Sequence, residues 1–153
     1  MTNELILVLD SNEAARQELC DLILGIGVPE EEILCTGDIE KALEELHKNE
    51  VCLVIVEATM PFKEGYSICS LMDINPKAQV VIKAYVEELG PIYTAAVKVH
   101  GILEKPVREK NLKFFINKSI QISTICRNLD SILEKMKFRN LGCEDFCPNT
   151  LIK

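Results

Sequence analysis

Over the first hundred or so positions, short apolar runs alternate with stretches whose apolar residues fall at helical spacing. Residues 4–9, ELILVL, are an apolar run that ends at Asp10, the pattern of a buried first strand. Ser11 or Asn12 supplies a helix N-cap, and Ala15, Leu19, Leu22, Ile23 and Ile26 follow at helical spacing. Gly25 and Gly27 close that helix. Pro29 and three glutamates turn the chain into a second strand, Ile33–Thr36, and Asp38 caps a helix whose apolar face is Ile39, Ala42, Leu43 and Leu46. Residues 51–56, VCLVIV, read as a third strand that delivers Glu57. A loop with Met60 and Pro61 leads to a helix over 65–72, opened by Gly65 and ended by Asn75-Pro76. Residues 79–84 are a fourth strand, and Pro91 opens a helix with Ile92, Ala95, Ala96 and Val99 on its buried face. Residues 101–103 are a short fifth strand before Lys105-Pro106.

Five β/α units in strict alternation predict a parallel sheet with helices on both faces. Right-handed crossovers make it a doubly wound, three-layer αβα fold with a five-stranded sheet. Helical sequence then runs from 109 to about 138 without Gly or Pro. Phe115, Ile122, Ile125, Leu129, Ile132 and Met136 fall on heptad a and d positions, with Lys118 breaking the series. A helix packed on its own domain shows a similar stripe. Past about 120, however, little sheet remains to cover, so the stripe points to a homodimer formed through this helix. The chain divides into a body (1–120), a helix extension (121–138) and a tail (139–153) expected to be flexible.

Composition narrows the setting. A hydrophobic content of 48% is enough for a full core, and no run of about 18 apolar residues crosses a membrane. The N-terminus, MTNELILVLD, lacks a basic region and a cleavage site, which points to the cytoplasm. Seven cysteines are many and odd in number. Cys20, Cys35, Cys52 and Cys69 sit in apolar patterns, where free cysteine behaves as a small core residue, so a reducing compartment fits better than a disulfide framework. Cys143 and Cys147 form a C-x₃-C in the tail, which metal sites seldom use.

The net charge of −7 hides an asymmetry, −12 over residues 1–104 against +6 over 105–139. The basic segment reads as a solvated face, as a complement to the acidic body of a neighbouring subunit, or as a surface for an acidic partner. No helix-turn-helix or other DNA-binding module accompanies it, so specific nucleic-acid binding is not expected.

Parallel strands would bring Asp10, Glu57, Lys83 and Lys105 to one carboxyl edge, where open α/β folds keep their sites. Each acid alone is as well explained as a cap; the four together are far more specific. At residues 4 to about 120 the chain resembles the receiver domain of response regulators, a flavodoxin-like fold of two-component phosphorelay signalling. In that family the first strand ends in two acids that help hold Mg²⁺, and here the pair is Asp10-Ser11. The phosphoacceptor aspartate is replaced by Glu57. The Thr or Ser that responds to the phosphoryl group is replaced by Lys83, and the aromatic switch residue by Ile102. Lys105 is kept, with Pro106 after it, and the resemblance implies a cis peptide bond between them.

These departures change the chemistry. Glutamate is one methylene longer than aspartate, which displaces its oxygens by about an ångström and spoils in-line attack. Mg²⁺ requires oxygen ligands in near-octahedral geometry, and Ser11 with Lys83 substitutes a weak ligand and a positive charge. A metal-free cluster in which Glu57 pairs with one lysine and Asp10 with the other is the natural alternative; Mg²⁺ binding is expected to be weak or lost. The chain is therefore read as a degenerate, non-enzymatic pseudo-receiver. It acts by contact with a signalling partner, a histidine kinase or a downstream target. The cluster is either a structural remnant or a lasting imitation of the phosphorylated state. Rivals are a receiver still phosphorylated at low efficiency, and a small-ligand, redox or metal sensor on the same scaffold.

Overall fold

The structure is a computed structural model, and it describes residues 4–60, 73–90 and 99–139. The helices expected over 65–72 and from Pro91, and the tail with Cys143 and Cys147, lie outside the described residues. Element order is β1 (Leu5–Leu9), α1 (Glu13–Ile26), β2 (Ile33–Thr36), α2 (Ile39–Lys48), β3 (Val51–Glu57), β4 (Gln79–Ala84), β5 (Gly101–Glu104) and α3 (Glu109–Arg139). The strands form one parallel sheet in the order β2-β1-β3-β4-β5. The expected doubly wound αβα fold is what forms.

Alternation along the strands sorts side chains onto two cores. Leu7, Leu9, Val54, Val56, Val80 and Ile82 pack with Ile39, Ala42, Leu43 and Leu46 of α2 on one face. Ile6, Val8, Leu53, Ile55 and Val81 pack with Leu19 and Ile23 of α1 and Leu112 and Ile116 of α3 on the other. All seven residues of β3 are buried, as the central strand of a covered sheet requires.

The helix ends follow their sequence signals. Asn12 is the cap of α1, its Oδ1 accepting from the Ala15 amide at 3.0 Å. Gly25 remains inside the helix, and Gly27 ends it in the left-handed region at φ 113°. Asp38 caps α2 through the Glu40 amide at 3.0 Å. The third and fifth strands each run one residue further than the apolar pattern indicated, taking in Glu57 and Glu104.

The reading of Cys20 and Cys35 as core thiols needs correction. The structure joins them in a disulfide between α1 and β2, and Cys35 is exposed rather than buried. Pattern alone misled because β2 is an edge strand whose outer side has no neighbouring strand. Cys52 is buried, as the pattern indicated, and lies outside that disulfide.

The chain divides into two compact units, Met1–Ser123 and Thr124–Lys153. The described part of the second is the last four or so turns of α3. Its Ile125, Leu129, Ile132, Leu133 and Met136 are all exposed, from 37% to 56%. Among the described residues no helix is long and apolar enough to cross a membrane.

Candidate functional site

Strand register, more than any single residue, builds the site. Leu9 is level with Val56, and Glu57 is level with Lys83. Asp10, one residue past β1, therefore stands level with Glu57 and Lys83 on adjacent strands. Ala84 is level with Glu104, which leaves Lys105 one step beyond β5, its amide bonded to the Ala84 carbonyl at 2.8 Å. The peptide bond between Lys105 and Pro106 is cis.

The four side chains form two short ion pairs. Lys83 Nζ donates to Asp10 Oδ2 at 2.7 Å, with both side chains almost wholly buried. Lys105 Nζ donates to Glu57 Oε1 at 2.6 Å. A longer contact of 3.7 Å from Lys83 Nζ to Glu57 Oε2 joins the pairs into one cluster. Asp10 Oδ1 accepts from the Asn12 amide at 2.9 Å, and the Thr59 hydroxyl lies 3.3 Å from Glu57 Oε1. Among the described residues no buried side-chain nitrogen or oxygen lacks a partner. Charges this deep are tolerable only when paired and hydrogen-bonded, and here they are both.

Three participants carry no pattern in the sequence. Glu88 accepts from the Tyr85 amide at 2.8 Å and stands 3.3 Å from Lys105 Nζ. Tyr85 lies under the same ammonium, 4.5 Å from Nζ to the ring centre. Arg16 donates from Nη1 to the Asp10 carbonyl at 2.7 Å and holds the β1–α1 turn. Burial lowers the Lys105 pKa, but the hydrogen bonds and charges of Glu57 and Glu88 outweigh it and hold it above the ordinary lysine value. The Tyr85 amide, and then Lys105, hold Glu88 below the ordinary carboxylate value.

Other residues singled out from the sequence fall elsewhere. Ser11 is exposed beside the cluster. Ile102 is half-buried and packs on the α2-side core, level with Ile82. Phe115 and Ile122 are half-buried on α3, and the residues that anchor that helix are Leu112, Ile116 and Ser119, all buried. A cavity of about 280 Å³ opens beside the cluster, between Leu19 and Leu22 of α1 and Tyr85, Lys105, Pro106 and Val107.

Mg²⁺ does not fit this donor set. Asp10 Oδ2 already accepts from an ammonium, as does Glu57 Oε1. A divalent cation would sit among two lysines with both carboxylates engaged, and like-charge repulsion at such distances outweighs what one or two shared oxygens return.

No protein-family model matches the chain, and no curated protein matches its sequence. Solved structures do match. A chain described as an adenylate cyclase from Rhodopirellula baltica superposes with a TM-score of 0.71 at 22% identity, covering 88% of this chain and 99% of that one. The signal receiver domain of an HD domain-containing protein from Pseudomonas fluorescens gives 0.70 at 22%, with 84% and 95% covered. A response regulator receiver domain from Clostridium thermocellum gives 0.67 at 23%, with 80% and 98% covered. At these identities the likeness defines the architecture: the chain has the flavodoxin-like fold of response-regulator receiver domains, with a long C-terminal helix.

Proposed function

We propose that this chain is a pseudo-receiver, a cytoplasmic signalling protein that works by protein contact and not by accepting a phosphoryl group on a carboxylate. The reading rests on one observation above all: both lysines at the carboxyl edge are spent on the two acids. Lys83 holds Asp10 at 2.7 Å and Lys105 holds Glu57 at 2.6 Å. A phosphoryl donor needs a free carboxylate in line and a metal to neutralise its oxygens, and neither is compatible with these pairs. The cluster imitates a phosphorylated edge, in that the retained lysine already holds an anionic oxygen where a phosphoryl oxygen would otherwise engage it.

The second part of the reading concerns the partner surface. The exposed apolar residues from Ile125 to Met136 support self-association through the end of α3, the chain acting as a homodimer that offers its receiver-like bodies to a kinase or an output protein. Incubation with acetyl phosphate and Mg²⁺, followed by intact mass measurement, tests the first part. No phosphoryl adduct is expected, and stoichiometric acyl-phosphate formation would overturn it.

A further inference from the structure

We propose that the Cys20–Cys35 pair is a thiol-exchange site: a low-molecular-weight thiol opens it at Cys35, and its state sets how firmly α1 is tied to strand β2. The two residues are placed unequally. Cys20 is 7% exposed, on the buried face of α1, whereas Cys35 is exposed on the edge strand β2. An incoming thiolate therefore reaches the sulfur of Cys35 and not that of Cys20.

The exchange balances in two steps. The external thiolate attacks Cys35 Sγ, the Sγ–Sγ bond breaks, and the electron pair leaves on Cys20 Sγ, which takes a proton in its apolar surroundings. A second thiolate attacks the external sulfur of the mixed disulfide, releasing Cys35 and one oxidised external disulfide. Two electrons pass from two small thiols to the pair. In a compartment where thiols are kept reduced, disulfides are mostly of this transient, sensing kind.

The consequence falls on α1. That helix carries Arg16, which holds the Asp10 carbonyl, and Leu19 and Leu22, which wall the cavity beside Glu57 and Lys105. Cys20 lies between them, so the bond to Cys35 braces the side of the site that α1 forms.

The first arm of the test detects the bond in solution. The full chain, purified without reductant, is denatured, alkylated with iodoacetamide and digested for mass spectrometry. Cys20 and Cys35 are expected in one cross-linked peptide and unalkylated. Their labelling as free thiols, to the extent of Cys126, overturns the proposal. In the second arm, brief exposure of the folded chain to reduced glutathione is expected to leave the adduct on Cys35. An adduct on Cys20 overturns it. In the third, hydrogen exchange of the α1 amides is expected to quicken about tenfold or more on reduction. Cys35→Ser, at the exposed position, is expected to reproduce that quickening without glutathione. Unchanged exchange in both overturns the bracing role.

Discussion

Lys83 and Asp10 illustrate how little freedom a buried charge leaves to its neighbours. Lys83→Met removes one partner and leaves Asp10, 2% exposed, without its ammonium. The expected loss is about 3–5 kcal/mol of unfolding free energy in urea titration. Asp10→Asn with Lys83→Met is expected to recover much of that loss, because both charges are then gone. Gly101 imposes a different constraint. A Cβ there would meet the Phe115 ring directly, so Gly101→Ala forces the helix or the ring aside at a cost of about 1–3 kcal/mol. Phe115→Leu in the same chain should relieve most of it, and equal losses with and without the second change would refute the steric account. At the edge itself, Lys105 has a raised pKa, so its pairing with Glu57 and Glu88 is fully present below the ordinary lysine value. It is lost as pH rises through the raised one. Lys105→Met should flatten the alkaline limb of the stability profile.

His100 shows how a side chain substitutes for strand pairing. Its backbone amide donates to the Val80 carbonyl at 2.8 Å, and its Nδ1 accepts from the Val80 amide, also at 2.8 Å. A protonated ring cannot accept that bond. Burial, and then the Lys118 charge nearby, hold the His100 pKa below its ordinary 6.5. The unfolded chain therefore binds the proton first. The stability this residue contributes is present above 6.5 and lost as pH falls through the depressed value, and His100→Gln should reduce that acid-side slope in thermal melts. The strands that frame this contact were legible as apolar runs, because a sheet covered on both faces leaves no other pattern. The convergence of Asp10, Glu57, Lys83 and Lys105 was legible for the same reason, since parallel register turns strand ends into neighbours. Glu88, Tyr85 and Arg16 were not, because turn geometry carries no period. The Cys20–Cys35 pairing was hidden by β2 being an edge. In α3 the heptad series was visible, but Leu112 and Ile116, which anchor the helix, lie off it. The exposed part of that series gives the element's own prediction: Leu129→Glu with Ile132→Glu should shift the sedimenting species from dimer to monomer. The denaturation midpoint of the body should stay unchanged, and a wild-type monomer at high concentration would remove the dimer reading.

At the scale of the whole described molecule, a receiver-like parallel sheet and a cis proline stand beside a carboxyl edge whose two acids are each held by a lysine. If those pairs act as a set, as the proposed reading has it, changing one member alone should not open the edge to phosphoryl transfer. Glu57→Asp alone shortens the side chain, yet Lys83 remains 2.7 Å from Asp10 and still excludes a metal. That variant is expected to take up no phosphate from acetyl phosphate and to show no Mg²⁺-dependent change in melting. Adding Ser11→Asp and Lys83→Thr removes the obstructing ammonium and supplies a second acid beside Asp10, leaving three carboxylates facing one space. With no cation that cluster is destabilised by its own charge, so the triple variant should melt below the wild type in chelator. Mg²⁺ in tenfold excess over its Kd should then restore about 1.4 kcal/mol by linkage. If Glu57→Asp alone binds Mg²⁺ or becomes phosphorylated, the lysine pairs are not what silences the edge, and the extra methylene of Glu57 carries that role by itself.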